Sequence, residues 1–203
     1  MEKENMHPVI REALGTDWDK LHPAIRRHYN ISAEGTARLK LSGTMVEVNH
    51  ASIIKPFIWI AQLFGALVPY RGRNLPVEVI NTARKGSNTL FWQRCFYFPG
   101  KEPFHFLSRM ETLENNEIVE YVRYNLGICM AMTEQDGTLC YTSRGYLWNP
   151  GPFKLRIPDW LMLGNAKIIE RGIDNKTVKL DFNIHHPLFG HTFTYSGSFE
   201  LEE

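Results

Sequence analysis

No apolar run in this chain is long enough to cross a bilayer as a helix. The longest, Pro56 to Pro69, is interrupted by Gln62 and falls short of the roughly 20 residues that such a span needs. Cysteine is scarce. Cys95, Cys129 and Cys140 form no Cys-x-x-Cys pair and leave an odd thiol under any pairing. All three are therefore expected unbridged and buried, in a reducing, cytoplasmic compartment. Net charge is almost absent, with 23 basic against 22 acidic residues and a formal +1. The basic residues gather no more densely than Arg26-Arg27 and Arg71/Arg73, which argues against nucleic-acid binding. No Gly-x-Gly-x-x-Gly, phosphate loop, Gly-x-Ser-x-Gly elbow or His-Glu-x-x-His is found, so no cofactor is expected. Met1 to Ile10 is polar and lacks the apolar core of a signal peptide.

Composition is ordinary for a globular protein, at 43% hydrophobic and 22% charged, which excludes a disordered chain. Repeats, linkers and low-complexity segments are missing, so residues 1–203 read as a single domain, with 1–7 as a flexible tail. A small helical region follows the tail. Thr16 can cap a turn carrying Asp17, Trp18 and Asp19, and Pro23 should start a second turn running to about Tyr29. Leu14, Trp18, Leu21 and Ile25 recur at helical spacing and give this region one apolar face.

From Gly35 to Asn49 the period becomes two, the mark of a strand. Ser52–Val68 reads as a helix capped by Ser52 and closed by Pro69. Because it is apolar all round, the adopted reading is a core helix, with a membrane-surface helix as the alternative. After Pro76 come strand-like segments at Val77–Ala83, Thr89–Phe98, Phe104–Leu113, Glu117–Asn125, Gly127–Thr133 and Thr138–Trp148. Their separators are turn material: Lys85-Gly86-Ser87-Asn88, Pro99-Gly100, Glu114-Asn115-Asn116 and Asp136-Gly137. Beyond Asn149-Pro150-Gly151-Pro152 lie a short segment at Phe153–Ile157 and a helical turn at Pro158–Leu163. Strands follow at Ala166–Ile173, Thr177–His185 and Thr192–Leu201.

A spacing of about ten residues per strand and turn indicates antiparallel neighbours, since parallel strands need longer crossovers. A sheet of about ten strands curls or closes as its twist accumulates. The expected fold is α+β, mostly antiparallel β: a strongly curved sheet or barrel of about ten strands with one core helix and short N-terminal helices. A helix-grip fold is the alternative, disfavoured because the chain ends in strands.

Several segments resemble a family known as domain of unknown function 4166. They include Leu14-Gly15-Thr16-Asp17-Trp18, Leu21-His22-Pro23-Ala24-Ile25-Arg26, Leu90-Phe91-Trp92-Gln93-Arg94-Cys95-Phe96 and Leu147-Trp148-Asn149-Pro150. Ile157-Pro158-Asp159-Trp160-Leu161, His186-Pro187-Leu188-Phe189-Gly190 and Tyr195-Ser196-Gly197 complete the likeness. The family is sometimes fused behind a saccharopine-dehydrogenase-like oxidoreductase domain, so the resemblance implies a companion or substrate-handling role. This chain carries no dinucleotide motif of its own.

Candidate site residues are polar side chains on otherwise apolar strand faces. Arg94 shares a face with Leu90, Trp92, Phe96 and Phe98, and a buried guanidinium must be paired. Glu120, beside Ile118, Val122 and Tyr124, is the first candidate partner. The pair is either a structural ion pair or a clamp for a ligand's carboxylate. Arg144 poses the same question beside Cys140, Thr142, Tyr146 and Trp148, and there the face is mixed. His185 and His186 point to opposite strand faces, so they and His191 are assigned to turn and core rather than to a metal.

The leading expectation is a pocket for a hydrophobic or aromatic small molecule with an acidic group. Arg94 would hold the acid, Glu120 would orient Arg94, and Trp92, Phe96, Tyr124, Arg144 and Tyr146 would complete the site. The alternatives are a cofactor-free enzyme with Glu120 as general base, and an accessory protein for a separate oxidoreductase partner.

Overall fold

The computed structural model describes residues 7–31, 38–83, 89–114 and 116–202. The expected tail falls mostly outside them, as do Gly35 to Ala37, the whole Lys85–Asn88 turn and Asn115. Eleven strands form one sheet: β1 Arg38–His50, β2 Gly72–Ala83, β3 Leu90–Phe96, β4 Phe104–Thr112, β5 Glu117–Tyr121, β6 Leu126–Gln135, β7 Thr138–Trp148, β8 Leu155–Ile157, β9 Asn165–Gly172, β10 Thr177–His186 and β11 Gly190–Leu201. Every pairing is antiparallel, and β6 pairs with both β5 and β7. The order β6-β5-β4-β3-β2-β1-β11-β10-β9-β7 therefore returns to β6 and closes a ten-stranded barrel, with β8 as an extra strand. Closure removes the free edges that a wide antiparallel sheet would otherwise expose.

The two ends of the barrel are built differently. At one end, which we call the base, helices α1 (Val9–Leu14) and α2 (Pro23–Tyr29) and the 3₁₀ turn Gly15–Lys20 form a plug. Leu14, Trp18, Leu21 and Ile25, the predicted apolar face, are buried there against Leu90, Met110, Ile118, Met130, Leu139 and Tyr141. The caps differ from expectation. Thr16 lies inside the 3₁₀ turn and makes no side-chain cap, while His22 precedes Pro23 and its ring accepts from the Ala24 amide.

At the other end, the mouth, the β1–β2 connection carries α3 (Lys55–Phe64), preceded by a 3₁₀ turn at Ser52–Ile54. The helix is shorter than predicted because Gly65, at φ 63°, turns left-handed and ends it. Nor is it a core helix. Within α3 only Ile58 is buried, while Trp59 is 69% and Leu63 59% exposed. Apolarity on all sides implied burial on all sides. Instead one face lines the barrel interior and the other meets solvent. Ser52 caps nothing here; its hydroxyl accepts from Arg71.

Cys95, Cys129 and Cys140 are all free and buried, as expected. Both ring nitrogens of His186 are used within the mouth loops. Nδ1 accepts from the Leu188 amide, Nε2 pairs with the Trp160 carbonyl, and the ring stacks on Phe189.

Candidate functional site

Alternation along a strand sends every second side chain into the barrel. On β3 this brings in Leu90, Trp92, Arg94 and Phe96; on β4, Phe106, Ser108 and Met110; on β5, Ile118 and Glu120. Arg94 Nη2 forms a short charged contact with Glu120 Oε1 and also donates to Ser108 Oγ at 3.1 Å. Ser108 Oγ donates in turn to Glu120 Oε1 at 2.7 Å. The guanidinium carbon lies 4.3 Å from the Trp92 ring centre and 4.8 Å from that of Phe106. Arg94 is thus sandwiched between two aromatic faces and tied to a carboxylate, the arrangement that makes a buried guanidinium tolerable. The predicted Arg94–Glu120 pair is present.

Above this pair, toward the mouth, lies a cavity of about 390 Å³. Its walls are almost wholly apolar. Phe96, Phe106, Ile128, Met130, Tyr146, Ile168, Phe182 and Tyr195 come from the strands, while Phe57, Ile60, Ala61 and Phe64 come from α3 and Leu161 from the β8–β9 connection. Arg94 and Glu120 are the charged residues on its lining. Below Arg94, Phe96 and Tyr195 lies a smaller space of about 70 Å³, lined also by His28, Tyr29, Asn81, Trp92 and Glu170. Arg94 and Tyr195 therefore stand between an apolar upper chamber and a smaller, still largely apolar one into which His28, Tyr29, Asn81 and Glu170 bring polar groups.

Glu170 is the residue that sequence reasoning missed. It is 4% exposed and accepts a 2.7 Å hydrogen bond from the Tyr29 hydroxyl, which receives one from Tyr141. Burial pushes the Glu170 carboxyl up to about 7, although the Tyr29 hydrogen bond and Arg94 favour its charged form. Burial likewise pushes the Tyr195 hydroxyl up to about 12. The signal was in the sequence. Ala166, Ile168 and Glu170 alternate with Asn165, Lys167 and Ile169, so Glu170 breaks an inward face as Arg94 does on β3. Two further buried polar atoms, Trp92 Nε1 and Asn81 Oδ1, have no partner among the described residues, and both belong to residues lining the lower chamber.

Among the other predicted residues, Phe96 lines both chambers and Tyr146 the upper one. Trp92 lines only the lower chamber and packs against Tyr29, so it forms the floor beneath Arg94 rather than a wall of the main cavity. Tyr124 and Arg144 do not belong with these. β5 ends at Tyr121, and Tyr124 stands in the following turn at φ 57°, 70% exposed and edge-on to Phe64. Extending the strand to Asn125 had carried its alternation too far. Arg144 is exposed on the outer surface. The β6–β7 register slips between Ile128 and Met130, and Gly145 sits at φ 95°. This bulge changes the parity, so Tyr141 and Ser143 face inward before it and Tyr146 after it. Arg144 and Tyr146, grouped on one face by simple alternation, thus lie on opposite sides of the wall.

The structure is thus a closed antiparallel barrel with a wide apolar chamber, a charged pair beneath it and a helix at its mouth. The chain belongs to the family described as domain of unknown function (DUF4166), which matches residues 21–199. It is 24% identical to the uncharacterized protein YndH of Bacillus subtilis (strain 168), over 96% of this chain and 97% of that one. Among solved structures it is similar to the S-type phycobiliprotein lyase CPES from Guillardia theta, at 10% identity and a TM-score of 0.35, over 82% of this chain and 86% of that one. No helix among the described residues is long and apolar enough to cross a membrane.

Proposed function

We propose that the barrel binds a hydrophobic or aromatic small molecule in its upper chamber, with the polar end of the ligand directed at Arg94. The observation that carries this reading is the 390 Å³ apolar cavity resting on a single charged pair. A packed core of this size leaves few voids larger than a water molecule, so a chamber this large is a feature to be explained by an occupant. Its volume falls within the range of sites that take drug-sized ligands.

An acidic end group is the one that uses Arg94 best, but Glu120 already balances the guanidinium. A carboxylate arriving on Arg94 therefore adds uncompensated negative charge to a site with Glu170 on the far side of Arg94, in the lower chamber. We propose that the acid binds together with a proton, taken up by Glu170 or retained by the ligand. A carboxyl poised at about 7 is able to accept that proton near neutrality. An accessory-protein role needs no cavity, so the 390 Å³ chamber supports the binding reading over it.

Calorimetric titration with dodecanoic acid in buffers of differing ionisation enthalpy tests the proposal. One molecule should bind per chain, with uptake of up to one proton and weaker affinity at about pH 8 than at about pH 6. Saturable binding that is independent of pH would remove the acidic end group from the proposal. No saturable binding of this acid or of its uncharged alcohol analogue would remove the cavity reading itself.

A further inference from the structure

The outer face of α3 carries exposed Trp59 and Leu63 on one helical stripe with Lys55, preceded by Ile53 at 59% exposed. Across the cavity opening the 3₁₀ turn Asp159–Leu161 presents Trp160 and Leu161, both more than half exposed. Ile60 and Leu161 also line the cavity, so these two protrusions flank its entrance. Scattered exposed apolar residues need no explanation, but a cluster around one opening does. Nothing among the described residues covers it.

Charge says what does. The connections at the mouth, together with β8, carry Lys55, Arg71, Lys101, Arg123, Lys154 and Arg156, all exposed, against Glu102 and a half-buried Asp159. The whole chain is nearly neutral at +1, so this excess is local. Lys55 stands at the start of α3, Arg71 reaches the Ser52 hydroxyl just before it, and Arg123 lies against Gly65 at its end. Apolar side chains that protrude within a basic ring match a bilayer interface carrying anionic headgroups, where Trp and Leu sink to the acyl boundary and Lys and Arg stay at the phosphates. A protein partner would need acidic groups facing six cations spread over separate connections; a charged lipid surface supplies them at every position.

We propose that the mouth of the barrel docks on anionic membrane surfaces through the outer face of α3 and the Trp160-Leu161 turn. Docking leaves the barrel outside the bilayer and turns the cavity entrance toward the lipid. The claim does not rest on what the cavity binds, because vesicles without any added ligand test it.

Flotation of the full chain with vesicles of equimolar phosphatidylcholine and phosphatidylglycerol should carry the protein upward, and raised salt should release it. Vesicles of phosphatidylcholine alone should leave it behind. The Trp59→Ser/Leu63→Ser double variant, which replaces no residue of the cavity lining, should fail to float. Lys55→Glu/Arg123→Glu should bind at least about tenfold more weakly, at the usual contribution of each basic residue near an anionic surface. Both should melt as the parent does by circular dichroism. Trp59→Phe keeps the apolar face and should still float, with a smaller blue shift of tryptophan emission. A wild-type protein that stays behind with the anionic vesicles overturns the proposal, as do charge-reversed and serine variants that float undiminished. So does a wild-type dimer in light scattering that the serine variant makes monomeric without any flotation, because the face would then belong to a second copy.

Discussion

The two ends of this barrel each carry helical segments, whose apolar side chains end up in opposite states. At the base, Ile10 of α1, Ala24 and Ile25 of α2 and Leu21 just before α2 are buried to 2% exposure or less, leaving only the small lower chamber between the plug and Arg94. At the mouth, α3 is the more uniformly apolar helix, yet it shields a cavity with one face and shows tryptophan to solvent with the other. The N-terminal helices place charged residues such as Arg11, Asp19 and Lys20 on the outside, so their apolar face has only one direction to go. α3 has no such polar side. One helix pair supplies stability; the other helix is free to serve binding.

The comparison can be broken by substitution, starting at the level between the two ends. Arg94→Met would leave Glu120 buried without its cation, and such a loss typically costs about 3–5 kcal/mol. The double variant Arg94→Met/Glu120→Leu should regain most of that, as read by urea denaturation. A double variant as unstable as the single one would mean that the pair positions the strands themselves. In the base plug, Ile25→Ala removes a fully buried side chain and should cost about 2–4 kcal/mol. At the mouth, Trp59→Ala should change stability by less than about 0.5 kcal/mol, despite deleting a larger ring. Equal costs at the two positions would erase the distinction between plug and mouth.

Glu170 gives the base a pH signature. Its folded pKa, at about 7, lies above the unfolded value near 4.5, so its protonated form is the one the fold favours. The associated stability is fully present below about pH 4.5 and is lost as pH rises to about 7, amounting to roughly 3 kcal/mol by linkage at the upper end. Glu170→Gln keeps an acceptor for Tyr29 and never ionises. It should therefore be more stable than the parent by about 1–3 kcal/mol at about pH 8 and nearly equal to it at about pH 4. A variant without that divergence would place the ionised carboxylate in a better-solvated setting than the burial of Glu170 implies.

Much of this architecture was legible in residue order. Strand positions, the antiparallel connections and the inward placement of Arg94 and Glu120 follow from a period of two that β3, β4 and β5 keep without a register shift. The errors have local causes. A single bulge at Gly145 reversed the parity that assigned Arg144 to the interior, and a left-handed turn at Tyr124 ended a strand that alternation alone would continue. The state of α3 was not legible, because an all-round apolar helix fits a core and an interface equally well. Glu170 was legible and overlooked, standing on β9 where Arg94 stands on β3. The cavity itself depends on how the side chains of ten strands meet, which no local period encodes.

The central claim is that the upper chamber, and not the exposed rim, holds an apolar ligand. Val122 lines that chamber and is only half-buried, so Val122→Trp can fill part of it without disturbing the base. Titration with the fluorescent probe 1-anilinonaphthalene-8-sulfonate should give saturable one-to-one binding in the parent and in Trp59→Ser/Leu63→Ser. In Val122→Trp, at an unchanged melting temperature, that binding should weaken at least about tenfold. Binding that survives in Val122→Trp but disappears in the rim variant would contradict the account and move the ligand to the surface.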